Sequence, residues 1–199
     1  LIEKAAGLVR SARHAVAFTG AGISTPSGIP DFRSARTGLW EQDDPMQVAS
    51  LTSFYYTPER FYNWLRPLAS TCLSAQPNPA HLALADLEKA GLLKAVITQN
   101  IDDLHLQAGS KNVLELHGSL RTFTCMGCHQ SLPGRDILPA FIGSGKHPLC
   151  PNCQAILKPD IVLFEESLPT STWYKAESHA QMADLMIVVG SSLSVTPAA

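Results

Sequence analysis

The stretch Ala15-Val16-Ala17-Phe18-Thr19-Gly20-Ala21-Gly22-Ile23-Ser24-Thr25 decides the fold. Its first five residues form a short uncharged apolar run, which reads as a buried strand running straight into a glycine turn. Small residues at such a turn let the backbone approach a ligand, and exposed amides can bind phosphate. Thr25 stands where the dinucleotide fingerprint has its third glycine, so a plain tight turn is the competing reading. The loop continues as Ser27-Gly28-Ile29-Pro30-Asp31-Phe32-Arg33-Ser34, which sets an aromatic ring between two charges. Phe32 plugging a local core is the alternative to a functional role there.

Outward from this stretch, helical and extended patterns alternate. Leu1, Ala5, Leu8 and Ala12 recur at helical spacing and predict an amphipathic first helix. Residues 54–66 carry Phe54, Tyr55, Tyr56, Phe61, Tyr62 and Trp64 in a helical insert. Asn78 caps a helix that runs through Ala90, with Pro79 in its first turn and Gly91 as its stop. Residues 92–98, 113–116 and 184–189 read as buried strands, and residues 160–164 as extended and apolar. Residues 119–156 have a broken, turn-rich character, and no internal repeat is visible. The alternation predicts an α/β fold with a parallel sheet and helices on both faces. Ligands of such sheets sit outside the carboxyl ends of the strands. Polar loops fall at those ends after Thr19, Thr98 and Val189, and His117 follows a fourth strand.

The loop Thr98-Gln99-Asn100-Ile101-Asp102-Asp103-Leu104-His105 is dense in hydrogen-bonding groups. Asn100 offers donor and acceptor and Asp102 an acceptor, a set that suits a carboxamide. An Asp102 or Asp103 helix cap is the competing reading. Among seven histidines, His117 is favoured as a proton acceptor because it lies at a strand end beside the other loops. Cys125-Met126-Gly127-Cys128 and Cys150-Pro151-Asn152-Cys153 supply four thiolates at the spacing of a closed structural zinc site. Cys125 to His129 also matches a haem-attachment pattern, which leaves the second pair unexplained. A nucleic-acid-binding zinc ribbon is the other alternative. Cys72 reads as a small buried residue.

Composition excludes several classes. In 199 residues, 45% apolar against 16% charged is unlike a disordered chain. A net charge of −2 speaks against a strongly basic nucleic-acid surface, so no direct nucleic-acid partner is expected. Apolar runs are too short to span a bilayer, so no membrane partner is expected. No signal-peptide pattern precedes the first helix, and the paired cysteines suit a reducing, cytoplasmic compartment.

Residues 20–34, the segment from Thr98 to His105, His117-Gly118-Ser119, the two cysteine pairs and Gly190-Ser191-Ser192-Leu193 together resemble the sirtuins, of bacterial or archaeal type, in order and spacing. The resemblance implies an NAD-dependent protein-lysine deacetylase with a Rossmann-type domain, a small zinc-binding module and a helical insert. The boundaries so implied are 1–118 and 157–199 for the Rossmann-type domain, about 35–80 for its insert, and 119–156 for the module. NAD would be the cofactor, with one structural zinc on Cys125, Cys128, Cys150 and Cys153. An acetylated-lysine protein or peptide would be the partner.

Carried over by position, Gly20, Ala21 and Gly22, with Ile23 and Thr25 beside them, would line the pyrophosphate, and Phe32 and Arg33 would belong to a cofactor loop. Gln99 would face the nicotinamide ribose. Ser24, Asn100, Ile101 and Asp102 would form the nicotinamide pocket, with Asn100 and Asp102 counted as catalytic beside His117. Gly190, Ser191 and Ser192 would bind on the adenosine side. Val162, Leu163, Phe164 and Glu165 on one side, and Ser194 and Val195 on the other, would bind the peptide as an added strand. The implied role of His117 is general base through the ribose hydroxyls. Related activities of such a site are ADP-ribosyl transfer and NAD hydrolysis, and a non-enzymatic zinc- or NAD-binding interaction module is the remaining alternative.

Three departures from the family pattern stand out. Glu165 replaces a usual glycine, and strand alternation would send Glu165 and Glu166 to opposite faces. Leu65 stands three residues after Tyr62, where members that remove acidic acyl groups carry an arginine, so uncharged acyl groups are expected to be preferred. The chain ends at Ala199, where the family continues into further strands that complete the adenine pocket.

Overall fold

The computed structural model describes residues 1–36 and 38–198. Residue 37 of the expected helical insert and residue 199 of the expected Rossmann-type segment lie outside the described residues. Helix α1 (Ile2–Ser11) leads into β1 (Ala15–Thr19), and 3-10 turns carry the loop that follows. Helices α2 (Pro45–Val48), α3 (Leu51–Tyr56), α4 (Pro58–Ser74) and α5 (Pro79–Lys89) come next, then β2 (Leu93–Thr98), α6 (Leu104–Gln107) and β3 (Val113–Glu115). The chain continues through β4 (Gly118–Cys125), β5 (Ser131–Pro133), α7 (Gly134–Ser144) and β6 (Leu157–Ile161), and returns through α8 (Thr170–Met182) to β7 (Leu185–Val189).

One sheet is parallel, in the order β3-β2-β1-β7. Every residue of the central β1 is buried, which is why it shows no polar alternation. Leu84 of α5 packs on one face with Ala15, Ala17 and Val96. Ala176 and Trp173 of α8 pack on the other with Phe18, Ala95 and Ile97. The register aligns Thr19 with both Thr98 and Val189, so the loops after β1, β2 and β7 leave the sheet side by side. This is the α/β, Rossmann-type arrangement expected.

A second sheet is antiparallel, in the order β5-β4-β6. Here the expectation of a broken, turn-rich segment is corrected, since β4 has 8 residues and α7 has 11. Leu138 and Phe141 of α7 are buried against this sheet, while Pro139 within the helix disguises it as a breaker. Gly134 allows the close approach, because a Cβ there would lie 2.0 Å from the Leu120 carbonyl oxygen. Helix α8 escaped the sequence for another reason: Ala176 is its one buried residue among those described, so it shows no apolar stripe.

The aromatic helices join this second sheet. Phe61, Tyr62 and Leu65 of α4 share a core with Phe123, Phe141 and Leu157. Phe61 and Tyr62 meet edge to face at 4.9 Å, as do Tyr62 and Phe141 at 5.2 Å.

Beyond β6 the chain does not stay extended. The Glu166 N–H donates to the Leu163 carbonyl at 3.1 Å, and Glu165 has φ +75°. That is a β-turn with a left-handed third residue, where glycine is favoured. The expected alternation of Glu165 and Glu166 is therefore corrected. Glu165 Oε2 accepts instead from the Thr52 N–H, 2.8 Å away in the first turn of α3.

Asn78 does more than cap. Its Oδ1 accepts from the Ala80 N–H at 2.9 Å, and its Nδ2 donates to the Ile23 carbonyl at 2.8 Å, tying α5 to the glycine loop. Asn78→Ala should lower the unfolding free energy by about 2–3 kcal/mol in urea titrations, a cap plus an orphaned buried carbonyl. Asn78→Asp, which keeps the cap and loses the donor, should fall between. A loss below about 0.5 kcal/mol for the alanine variant would contradict the tie.

Candidate active site and metal centre

A cleft of about 600 Å³ opens at the carboxyl ends of the parallel strands. The loop after β1 lines it with Gly20, Ala21 and Gly22, then Phe32 and Arg33. The loop after β2 adds Gln99, Asn100 and Ile101, and His117 stands beside them. Gly190, Ser191, Ser192 and Val195 close one side, and Val162, Leu163, Phe164 and Glu165 the other.

Five expected residues do not line the cleft. Ile23 is buried in the sheet core, and Thr25 is exposed with its hydroxyl on the Gly22 carbonyl at 3.1 Å. Ser194 meets Ser192 through their hydroxyls at 2.6 Å. Ser24 and Asp102 are buried behind the wall.

The loops after β1 and β7 touch backbone to backbone. The Gly22 N–H donates to the Gly190 carbonyl at 2.9 Å, and a Cβ on Gly190 would lie 2.0 Å from the Ile23 nitrogen. Behind Asn100 runs a polar chain: its Nδ2 donates to Ser24 Oγ at 3.1 Å, and Ser24 donates to Asp102 Oδ2 at 2.6 Å. Asp102 Oδ1 also accepts from the N–H of Leu104, the first residue of α6, at 3.0 Å. Asp103, by contrast, precedes α6 with no capping bond from its side chain. The Asn100 N–H donates to Thr98 Oγ1 at 3.1 Å, which Thr19 Oγ1 meets at 2.8 Å, and His105 Nε2 lies 2.9 Å from Thr19. Burial pushes the His105 imidazole down to about 4, helped by nearby His81, so it is neutral.

His117 lies where the chain leaves one sheet for the other. Its Nδ1 is 2.9 Å from the Gln99 carbonyl oxygen. A carbonyl can only accept, so Nδ1 carries the proton and Nε2 is the basic nitrogen. Burial holds the His117 imidazole below its ordinary value, against the opposing Gln99 hydrogen bond and aided by the Arg33 charge. Gly118 sharpens the corner, since a Cβ there would lie 2.0 Å from the Asp160 carbonyl oxygen.

The four paired cysteines converge, with Sγ atoms all within 4.8 Å of one another. Cys125 and Cys153 approach to 3.4 Å, and Cys128 and Cys150 to 3.7 Å. These separations suit four thiolates around one tetrahedral zinc, for which Zn–S is about 2.3 Å. The Cys128 and Gly127 N–H groups point at Cys125 Sγ at 3.4 Å each and bring its thiol down to about 6. Cys72, in contrast, is buried and its thiol is pushed up to about 12 by desolvation.

Residues 20–197 match the Sir2 family. The chain belongs to that family. It is 47% identical over 199 residues to the NAD-dependent protein deacylase 2 of Archaeoglobus fulgidus, covering all of this chain and 78% of that protein. It is 48% identical to the NAD-dependent protein deacetylase of Caldivirga maquilingensis, with 99% and 75% covered. A solved Sir2 complex with a deacetylated p53 peptide and 3'-O-acetyl-ADP-ribose superposes with a TM-score of 0.92 at 43% identity, covering 99% of this chain and 79% of that one.

As a Sir2 enzyme, the chain has features its motifs did not announce. Trp40 and Trp64 line the cleft as a stacked pair 5.6 Å apart, with Phe32 5.1 Å and Phe164 6.0 Å from Trp40. Thr19 joins Thr98 and His105, which bound the quoted loop, in the buried support described above, and its one sequence signal is that it ends a strand. Tyr62 and Leu65 do not line the cleft: both are buried in the core, and Tyr62 Oη donates to the Leu157 carbonyl. Arg66 turns to the Gly145 carbonyl, away from the cleft. Phe164 offers only its ring, since its N–H and carbonyl pair with Ala49 and Leu51.

The cleft fits a dinucleotide on two observations. Gly20 and Gly22 have no room for a Cβ against Gly190, and Gln99 Nε2 is a buried donor with no partner among the described residues.

Metal analysis should find one zinc per chain. A strong chelator, or Cys150→Ser, should lower Tm by more than about 10 °C, since metal binding is coupled to folding. Because α4 packs on the cysteine module, helical signal should fall too. Protein that melts unchanged after complete zinc removal would contradict this.

Proposed function

We propose that this protein removes acetyl groups from protein lysines in an NAD-dependent reaction that releases nicotinamide and O-acetyl-ADP-ribose. The observation that carries this is His117, whose Nδ1 bond to the Gln99 carbonyl leaves Nε2 as the basic nitrogen, in one cleft with a glycine cradle and backed by the Asn100–Ser24–Asp102 chain. Relatives named NAD-dependent protein deacetylases support it. NAD, when bound, supplies the ribosyl carbon that takes the acyl oxygen as nicotinamide leaves.

In this proposal Gly20, Ala21 and Gly22 hold the pyrophosphate side, and Gly190, Ser191 and Ser192 the adenosine side. Gln99 donates toward the ribose. Asn100 and Ile101 form the carboxamide pocket, with Ser24 and Asp102 fixing which way the Asn100 amide points. Phe32 and Arg33 exclude water from the reacting face. His117 takes a proton at Nε2, and its Nδ1–H bond to Gln99 keeps the ring aimed. The Val162 carbonyl, with no partner among the described residues, accepts the N–H of the acylated lysine. Leu163, Phe164, Glu165, Ser194 and Val195 flank the peptide. An uncharged acyl group suits the aromatic wall, because Arg33 is the one cation among the described residues lining the cleft, which also bears Glu165 and Glu166.

We extend the proposal to organisation: residues 1–118 and 157–199 form the NAD-binding part, with an insert at about 35–80, and 119–156 the zinc module. The zinc is structural, since four thiolates leave no open position. No helix among the described residues is long and apolar enough to cross a membrane. A cytoplasmic setting suits five cysteines with no disulfide among them.

Mass spectrometry of products from NAD and an acetyl-lysine peptide should show O-acetyl-ADP-ribose. ADP-ribose alone, or an ADP-ribosylated peptide, would overturn the reading. His117→Ala should lose about 10²–10⁴-fold in rate. Because the active form is the neutral imidazole and its proton affinity is lowered, kcat/KM should hold down to pH 6.5, the ordinary histidine value, and fall only below it. An acid limb above that value, or near-native turnover in the variant, would refute the role.

A further inference from the structure

We propose that the partly buried ion pair between Lys158 and Glu166 is a positioning device that selects which backbone groups are open to the acylated peptide. This inference rests on the deacetylase reading. Glu166 Oε2 meets Lys158 Nζ at 2.9 Å and accepts from the Leu163 N–H at 2.8 Å. The same ammonium donates to the Ile161 carbonyl at 2.9 Å and to the Pro159 carbonyl at 3.3 Å. All three of its donors are thus engaged by residues 159, 161 and 166. The side chains are 11% and 24% exposed, so this pair is desolvated in a way that surface pairs are not.

The consequence lies in the segment between. The Val162 N–H donates to the His117 carbonyl at 2.9 Å, Leu163 is closed by Glu166, and Phe164 is closed by Ala49 and Leu51. Among the described residues this leaves only the Val162 carbonyl and the two backbone groups of Glu165 open on residues 162–165. Those are the groups an extended peptide would meet. Remove the carboxylate and the Leu163 N–H is freed, the turn loses its brace, and the Val162 carbonyl loses its fixed direction. The pair touches no acyl group, so it acts through Val162 and Phe164.

Steady-state kinetics with an acetyl-lysine peptide, beside calorimetric binding of ADP-ribose, test this. Glu166→Ala should raise peptide KM about ten-fold. Its kcat should fall by less than about three-fold and its ADP-ribose affinity should stay within about two-fold. Lys158→Met with Glu166→Gln leaves no unpaired charge and keeps an acceptor for Leu163, so it should recover KM to within about three-fold of wild type. If Glu166→Ala does not fold, Lys158→Met with Glu166→Ala carries the same expectation. Unchanged peptide KM, a matching loss of ADP-ribose affinity, or a double variant with Gln no better than Glu166→Ala would overturn the inference. Wild-type protein that neither binds nor deacetylates the peptide would overturn the deacetylase reading itself.

Discussion

No side chain fits between the loop after β1 and the loop after β7. Gly22 and Gly190 meet backbone to backbone, and Gly190 holds φ +64° to do so. The parallel register of β1 and β7 brings the two loops to the same edge, and the glycines let them close into one floor. Much follows from that contact. It directs Ile23 into the sheet core and leaves its carbonyl for Asn78, so the start of α5 is tied to the same turn. It also sets Ser24 between Asn100 and Asp102, where one hydroxyl serves both.

His117 sits at the seam of two architectures. β3 ends one sheet and β4 begins the other, with His117 between them and Gly118 pressed against Asp160. The ring is therefore held by both parts: by the Gln99 carbonyl on the parallel side and, through its own carbonyl, by Val162 on the antiparallel side. Arg121 of β4 reinforces the seam by pairing with Asp103 and Glu115. The segment that carries the four cysteines thus shapes the cleft at a distance from their cluster, through β4, β6 and the aromatic core shared with α4.

Most of the cleft wall was legible because it obeys short-range rules. The continuous apolar run of β1 betrays a strand buried on both faces, whereas that of β7 alternates half-buried and exposed residues, and polar loops at strand ends point to a ligand site. Two Cys-x-x-Cys pairs betray a tetrahedral metal site. What escaped depends on chain brought together from afar. Trp40 and Trp64 lie on different elements, and only folding stacks them. Lys158 and Glu166 look like ordinary surface charges until β6 and the turn bring them together. Glu165 was misjudged because a left-handed turn residue is expected to be glycine, and here the bond to the Thr52 N–H accompanies the unfavourable φ. Helix α7 hid behind Pro139, and α8 behind its exposure.

The central claim is that the glycine-to-glycine contact builds the dinucleotide site. Gly190→Ala adds one methyl group at a point 2.0 Å from the Ile23 nitrogen. Calorimetric ADP-ribose binding to this variant, with zinc content measured on the same sample, tests the claim most directly. The account predicts at least about a ten-fold loss of affinity with zinc fully retained. ADP-ribose affinity within about two-fold of wild type would contradict it.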